Sequence, residues 1–503
     1  MSRTPAPLPE AGVAVPVALL ALVLAAMVSL PCEDFALDDA WIHLDYAKSL
    51  ELGEGWSYNP GDHEAGCSSP LWVLLLWAWP TAGATVPRVF TLAMLLHALT
   101  AWCAAGLTIA IAQRRASEPA PLPLRSIAWL TGALVASAPL SLHGVASGME
   151  VSLASALAMA QTWAIVDGRA RAAAALGALA VWARPELAAL PFVAFAVAWP
   201  LRARLPPSLR RAILAAALGA TIAAAAWSAW LLATVGAPLP NALYVKGRGG
   251  GASGLAYLAE QVLPWQPWLV GLGGVVLAAA ALRHEWRAGA AMLAWLGGTT
   301  FAMVLLVAGT RPLHAGVQFF EARYFVPLLT PAAIVVAFGL AALPRRLAAL
   351  AVLPVAVMVG LQARDTVARA RAASEDTHVL HTQPARWVAA ELPRDAVVAT
   401  EGAGALRWGT ARTMTIVDLV GLNDHVAAHR HFDRAAKICR WVARAPTHAV
   451  VPAHWLPVLA EVFPLQPLAS FDDPAYTQVE PVGPMRVVVV ALGPARRACD
   501  DGD

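Results

Sequence analysis

Apolar runs of near-spanning length recur from residue 11 to residue 361 and then stop. The hydrocarbon core of a bilayer requires about 20 apolar residues per helix. A chain that offers such runs one after another has no water-soluble core large enough to hide them. They lie at 11–31, 126–143, 147–166, 171–183, 186–200, 212–235, 266–282, 287–308, 325–343 and 347–361, and 70–113 is a further apolar stretch broken by Pro80, Pro87 and Arg88. Charged residues make up 14% of the chain, against about 25% in soluble proteins, and lipid as the second solvent accounts for the deficit. The expected fold is a polytopic α-helical membrane domain over 1–361, with about eleven spans, followed by a soluble α/β domain over 362–503. No basic block with interleaved aromatics occurs, so nucleic acid is not an expected partner. The run 11–31 follows Arg3 without a clear small-residue cleavage site. It reads as a retained first helix, with a cleaved signal peptide as the alternative.

Basic residues in short loops set the orientation. Arg3, the segment 114–125, Arg169 and Arg171, the segment 202–211, Arg283 and Arg287, and Arg345 and Arg346 fall on one side only if 70–113 crosses once. One crossing plus a re-entrant or interfacial helix satisfies this. The N-terminus is then cytoplasmic, and the segments 32–69, 144–150, 236–265 and 309–324 share the outer face with the tail. The first of these carries nine carboxylates and a single Lys. A solvated loop would explain the charge, but Asp38 and Asp39 sit in an apolar setting (FALDDAWI). In the tail, short β-like runs at 397–399, 415–420, 448–451 and 486–491 alternate with helical stretches at 384–391 and 426–444. Gly402 and Gly404 read as a tight turn in preference to a phosphate cradle. Cys32 and Cys67 could bridge the ends of the outer loop, Cys439 and Cys499 could bridge within the tail, and Cys103 reads as a small core residue.

No Walker motif, HExxH or G-x-S-x-G is present, so nucleotide hydrolysis, zinc proteolysis and α/β-hydrolase chemistry have no support. The polar residues on one membrane face remain. The stretch LDDAWIHLDYAKSLELGEGWSYNPGDHEAGCSSPLWVLLL resembles the first outer loop of bacterial GT-C glycosyltransferases, most of all the mycobacterial arabinofuranosyltransferase group. SGMEV at 147–151, ARPEL at 183–187, LPNALYVKG at 239–247 and ARYFVPLL at 322–329 follow in the family's order, and IVDLVGLND at 416–424 is similar to its outer domain. Cys67 stands where an aromatic residue is common, and Ala65 interrupts the usual E-G pair.

The resemblance implies transfer of a sugar from a polyprenyl-phosphate donor to an acceptor outside a bacterial cytoplasmic membrane. The acceptor could be a glycan, a lipid-linked saccharide or a protein. A carboxylate must take the acceptor's proton, and Asp38 and Asp39 are placed for it by motif, Asp38 slightly favoured. The other of the pair would orient the site or cap the following helix, and capping by both is the structural alternative. Arg184, Lys246 and Arg323 are the candidates for the donor phosphate, against snorkelling or structural ion pairing. His43, Glu64, Glu150, Glu186, Asn241, Tyr244 and Tyr324 fall on motif positions as substrate contacts. His63 and His314 could assist, and Trp41 and Trp56 could stack on sugar rings. A divalent cation (Mg2+, Mn2+ or Ca2+) bridging the phosphate and Asp38 or Asp39 is compatible with this set, although no ligand spacing demands one. The competing classes are a transporter or flippase of lipid-linked saccharides, which would more naturally show two similar halves, and a non-catalytic scaffold. No internal repeat is visible, which favours the enzyme.

Overall fold

A computed structural model of the protein describes residues 11–79, 85–113, 124–246, 252–265, 287–310, 321–342, 345–478 and 483–496. The apolar run 266–282, His314 and Cys499 lie outside these. The chain divides into two compact units, one formed by Met1–Pro31, Pro87–Ala225 and Gly250–Ala370, the other by Cys32–Val86, Ala226–Gly249 and Arg371–Asp503.

The first unit is helical and apolar. Among the described residues, Gly12–Ser29, Thr85–Gln113, Pro207–Thr234 and Ala291–Thr310 are long and apolar enough to cross a membrane, and Leu124–Ala136 with Pro139–Ala146, bent by 48°, supplies a fifth candidate. The expectation of eleven is therefore matched by up to five on length and composition. Val151–Val166, Ala170–Ala183, Pro185–Ala198 and Val326–Ala341 are apolar but shorter. Proline accounts for several of the breaks: Pro139 and Pro185 each stand at the first position of a helix, where a missing N–H costs nothing. The stretch 70–113 forms a short helix, Pro70–Ala78, and one long helix, Thr85–Gln113. The core is built from Ala, Val, Leu and Ile contributed by most of these helices. Helices approach closely where side chains vanish: a Cβ on Gly219 would collide with the Ala174 carbonyl.

The second unit does not follow the linear split at 361. Hydropathy falls at residue 362, but the helix Arg345–Thr377 continues through it. The tail then forms a five-stranded sheet in the order β2-β1-β3-β5-β4. Its strands are β1 (Val397–Thr400), β2 (Thr415–Asp418), β3 (His448–Pro452), β4 (Leu465–Asp473) and β5 (Met485–Leu492). β1 runs parallel to β2 and β3, and β5 runs antiparallel to β3 and β4. Sequence reading places four of these strands. It misses β4 because that edge strand is mostly exposed and contains Pro467, which an edge tolerates. The helical stretch 426–444 is two helices, His425–His429 and Arg434–Ala443, divided where Asp433 caps the second through the Ala436 amide.

The acidic segment 32–69 is docked onto this sheet domain and is not a solvated loop. Glu54 pairs with Arg412 at 2.6 Å, Asp62 pairs with Arg444, and Glu64 meets His425 at 3.1 Å. Asn59 bonds the backbone N–H and C=O of Ile416 at 2.9 and 3.0 Å, holding the segment to β2. Several of the segment's carboxylates thus find their counter-charges far along the chain, in the tail. Cys32 and Cys67 are buried and not disulfide-bonded, which corrects the possible bridge between them. Cys103 is a buried free thiol in the helix Thr85–Gln113. Cys439 is disulfide-bonded, and its expected partner Cys499 lies outside the described residues.

Candidate functional site

The expected site residues fall into two groups, one in each unit. In the second unit the helix Asp39–Glu51 begins directly after Asp38. Asp38 makes no capping bond to that helix. Its carboxylate reaches instead to the first turn of Ala403–Gly409, accepting from the Gly404 amide at 2.9 Å and the Ala405 amide at 2.7 Å. His381 Nδ1 lies 3.7 Å from the same carboxylate. Gly404 permits this approach, because a Cβ there would collide with the Asp38 carbonyl. The GxG segment after β1 thus opens the helix Ala403–Gly409, with Gly402 at its N-cap and the first-turn amides on Asp38. Both carboxylate oxygens of Asp38 are occupied by backbone donors, a role in which Asp is favoured.

Asp39 differs. It stands in the first turn of its helix, keeps 20% of its side chain exposed, and meets Lys246 Nζ at 3.6 Å. Lys246 closes the short helix Asn241–Lys246, which is held from below. The Asn241 amide donates to the Ala65 carbonyl at 2.9 Å, and Asn241 Nδ2 donates to Glu64 at 3.3 Å and to the Leu422 carbonyl at 3.0 Å. Glu64 also accepts from the His425 amide at 2.7 Å and faces its ring nitrogen. That hydrogen bond raises the His425 pKa. Tyr244 sets its ring edge-on to His429, with centroids 4.1 Å apart. Glu64, Asn241 and Tyr244 therefore position the helix that carries Lys246.

The IVDLVGLND motif ends β2 and then closes as a loop around Asp418, which accepts from the amides of Val420, Gly421 and Asn423. Burial pushes Asp418 up to about 6 against those bonds. His43 packs inside its helix, with Nδ1 3.1 Å from the Asp39 carbonyl, and His63 Nδ1 lies 3.4 Å from the Trp56 carbonyl. Trp41 and Trp56 are buried, so neither ring is a platform for sugar. Trp41 donates to Asp34 and packs on Phe35 and Trp408, while Trp56 packs on Tyr46, Trp227 and Trp230.

In the first unit Arg184 joins the helix Ala170–Ala183 to the turn Pro185–Ala189. Pro185 forces it into an extended backbone, as proline does to the residue before it. Its guanidinium bonds Glu186 at 2.6 Å and Glu150 at 3.2 Å, donates to the Arg323 carbonyl at 3.4 Å, and lies 4.7 Å from the Tyr324 ring centroid. The side chains of Arg184, Glu150 and Glu186 are 4%, 4% and 9% exposed. Arg323, itself buried, lies 5.2 Å from the same ring. Residues from three of the motif pieces, SGMEV, ARPEL and ARYFVPLL, thus meet in one charge-compensated cluster. Among the described residues no group of three or more His, Cys, Asp or Glu is placed to hold a metal ion.

Two residues beside Asp38 escape sequence reading, His381 and Glu401. Glu401 follows β1 directly, and a polar residue at the carboxyl end of a parallel strand is the signal that could have found it. Burial raises its pKa, with His381 opposing and the charges of Asp38 and Asp39 adding to the rise.

Residues 366–482 match a family model described as a domain of unknown function (DUF8728). No curated protein matches the chain. Among solved structures, ArnT from Cupriavidus metallidurans bound to undecaprenyl phosphate superposes with a TM-score of 0.62 at 14% identity, covering 96% of this chain and 98% of that one. The oligosaccharyltransferase of Archaeoglobus fulgidus, in complex with Zn and sulfate, gives 0.53 at 13% identity, covering 88% of this chain and 68% of that one. Arabinofuranosyltransferase AftD from Mycobacteria gives 0.48 at 14%, over 98% of this chain but 40% of its own length. The first two show the class of fold: this chain is folded like ArnT and like the archaeal oligosaccharyltransferase. Within that class, the likeness to ArnT runs over nearly the whole of both chains.

Proposed function

We propose that this chain is a membrane glycosyltransferase that moves a sugar from a polyprenyl-phosphate donor to an acceptor hydroxyl at the outer face of the membrane, with Asp39 as the general base. The observation that carries the assignment is the division between the two aspartates. Asp38 has both oxygens engaged by the amides of Gly404 and Ala405, whereas Asp39 is water-accessible and holds Lys246 in a loose pair. In the reaction the acceptor oxygen attacks the anomeric carbon, Asp39 takes its proton, and the bond from that carbon to the phosphate oxygen breaks. The carrier phosphate leaves with the electron pair. Lys246, beside the base, is the cation we assign to it. Glu64, Asn241 and Tyr244 hold the Lys246 helix in place. Arg184 is taken up by two carboxylates, so its role here is to fix the first unit's cluster. ArnT, whose fold this chain shares, has been seen with undecaprenyl phosphate bound, which supports a donor of this kind.

The test is sugar transfer by purified protein in nanodiscs, offered a panel of synthetic polyprenyl-phosphate pentoses and hexoses. Wild-type turnover of one donor, lost in Asp39→Asn, is the expected result. Binding of a lipid-linked saccharide with no turnover of any donor would move the transporter reading ahead.

A further inference from the structure

The sheet domain contains a cavity of about 160 Å³ that the transfer reaction described above does not use. It lies at the carboxyl ends of β1 and β3, lined there by Thr400 of β1 and Glu401 just after it, and by Val450 and Pro452 of β3. The chain leaves β1 toward β2, and leaves β3 toward β4 and β5 on the opposite side of the sheet. Such a reversal opens a crevice between adjacent parallel strands, and open α/β sheets bind their ligands there. The cavity therefore stands where this topology places a ligand.

Its chemistry narrows the occupant. The polar groups are the Glu401 carboxyl, the rings of His381 and His454, and Tyr476, and no Lys or Arg is among the lining residues. An anionic ligand such as a phosphate would meet a carboxyl with no fixed positive charge opposite. Met485 and Val487 contribute an apolar wall. A carboxyl, two imidazoles and a phenol, together with apolar carbon, suit a neutral polyhydroxylated ring that has polar edges and C–H faces. The cavity is also tied to the proposed base: its His381 is 3.7 Å from Asp38, the immediate neighbour of Asp39.

We infer that this cavity is a carbohydrate subsite, in which Glu401 and His381 hydrogen-bond hydroxyl groups of the acceptor glycan. This rests on the glycosyltransferase reading for the word acceptor, but not for the binding of sugar. Burial inclines the Glu401 carboxyl toward its protonated form, which lets it donate to a sugar oxygen as well as accept.

The experiment is saturation-transfer NMR on the full-length protein in nanodiscs, with a panel of methyl pentofuranosides and methyl hexopyranosides as probes. Wild type, Asp39→Asn, Glu401→Gln and the cavity-filling Met485→Trp would be compared after their thermal midpoints are matched. At least one glycoside should bind wild type and Asp39→Asn alike. Its affinity should fall about tenfold in Glu401→Gln, the loss of one good hydrogen bond, and binding should vanish in Met485→Trp. No binding by any probe, or equal binding in Glu401→Gln and Met485→Trp, overturns the subsite. Transfer by wild type and Asp39→Asn on polyprenyl-phosphate sugars, run alongside, judges the glycosyltransferase reading separately.

Discussion

Two clusters of acidic and basic side chains, one in each unit, both pair carboxylates with cations and differ in geometry. Around Arg184 a guanidinium is clasped by two carboxylates at 2.6 and 3.2 Å, with all three side chains nearly sealed from water. At Asp39 a carboxylate lies 3.6 Å from the Lys246 ammonium, with 20% and 28% of the two side chains exposed. A buried charge with its full complement of partners is a structural element, because breaking it strands the remaining charges in low dielectric. A loose, wet pair can exchange its partner for a substrate group at little cost. Motif positions alone do not separate the two cases, since both clusters sit on pieces that resemble the same family.

The largest expected effect breaks the comparison at its reactive end. Asp39→Asn should lower sugar transfer by about 10²–10⁴-fold, the usual contribution of a positioned base, with the thermal midpoint unchanged. Asp38→Asn should do the reverse. An amide offers one acceptor where two backbone N–H groups need two, so a donor is left unmet at a cost of about 1–3 kcal/mol, read as a lower midpoint. If Asp38→Asn abolished transfer at full stability while Asp39→Asn retained it, the two roles would have to be exchanged.

At the sealed end, Arg184→Ala should destabilise the protein by about 3–5 kcal/mol by stranding Glu150 and Glu186. A fall in the thermal midpoint measured in nanodiscs is the readout. An Arg184→Ala protein that is as stable as wild type but inactive would mean that the cluster handles substrate after all. Lys246→Met should act more gently, raising the KM for the donor about 10- to 100-fold through loss of one charge-assisted contact. Raised ionic strength should weaken that contact in wild type but not in the variant.

Much of this architecture is legible in the amino-acid sequence. Apolar run length gives the helical membrane class, and four of the five strands stand out as short β-branched runs. The resemblance of the first outer loop brings Asp38 and Asp39 to notice, and that of the LPNALYVKG piece adds Lys246. The division between the aspartates is not legible, because Asp38 is fixed by amides of Gly404 and Ala405, which carry no side-chain signal. Nor is the role of the acidic segment, whose counter-charges Arg412, His425 and Arg444 are remote in sequence and look like ordinary surface residues of the tail. Helix breaks are a third feature that hydropathy does not show, because it sees composition, whereas Pro139 and Pro185 open new helices within apolar sequence.

The smallest effect sharpens the comparison with a third arrangement, one carboxyl raised by another. Asp376, near the end of the helix Arg345–Thr377, accepts from the Thr477 amide at 3.0 Å and hydroxyl at 2.7 Å. Burial, and then the neighbouring Asp473 carboxyl, raises Asp376 to about 7 from its ordinary 3.8. The folded state therefore holds this proton more tightly than the unfolded chain. The stabilisation is complete below about pH 4 and is lost as the pH rises through about 7. Thermal midpoints measured from pH 5 to pH 8 should fall with rising pH, and Asp376→Asn should flatten that slope. Some slope should survive, because Asp418 and Glu401 are raised in the same direction. A slope unchanged in Asp376→Asn would show that Asp376 does not carry it. Carboxyls in this protein would then be governed by the cations that face them, as at Asp39 and Arg184, and not by one another.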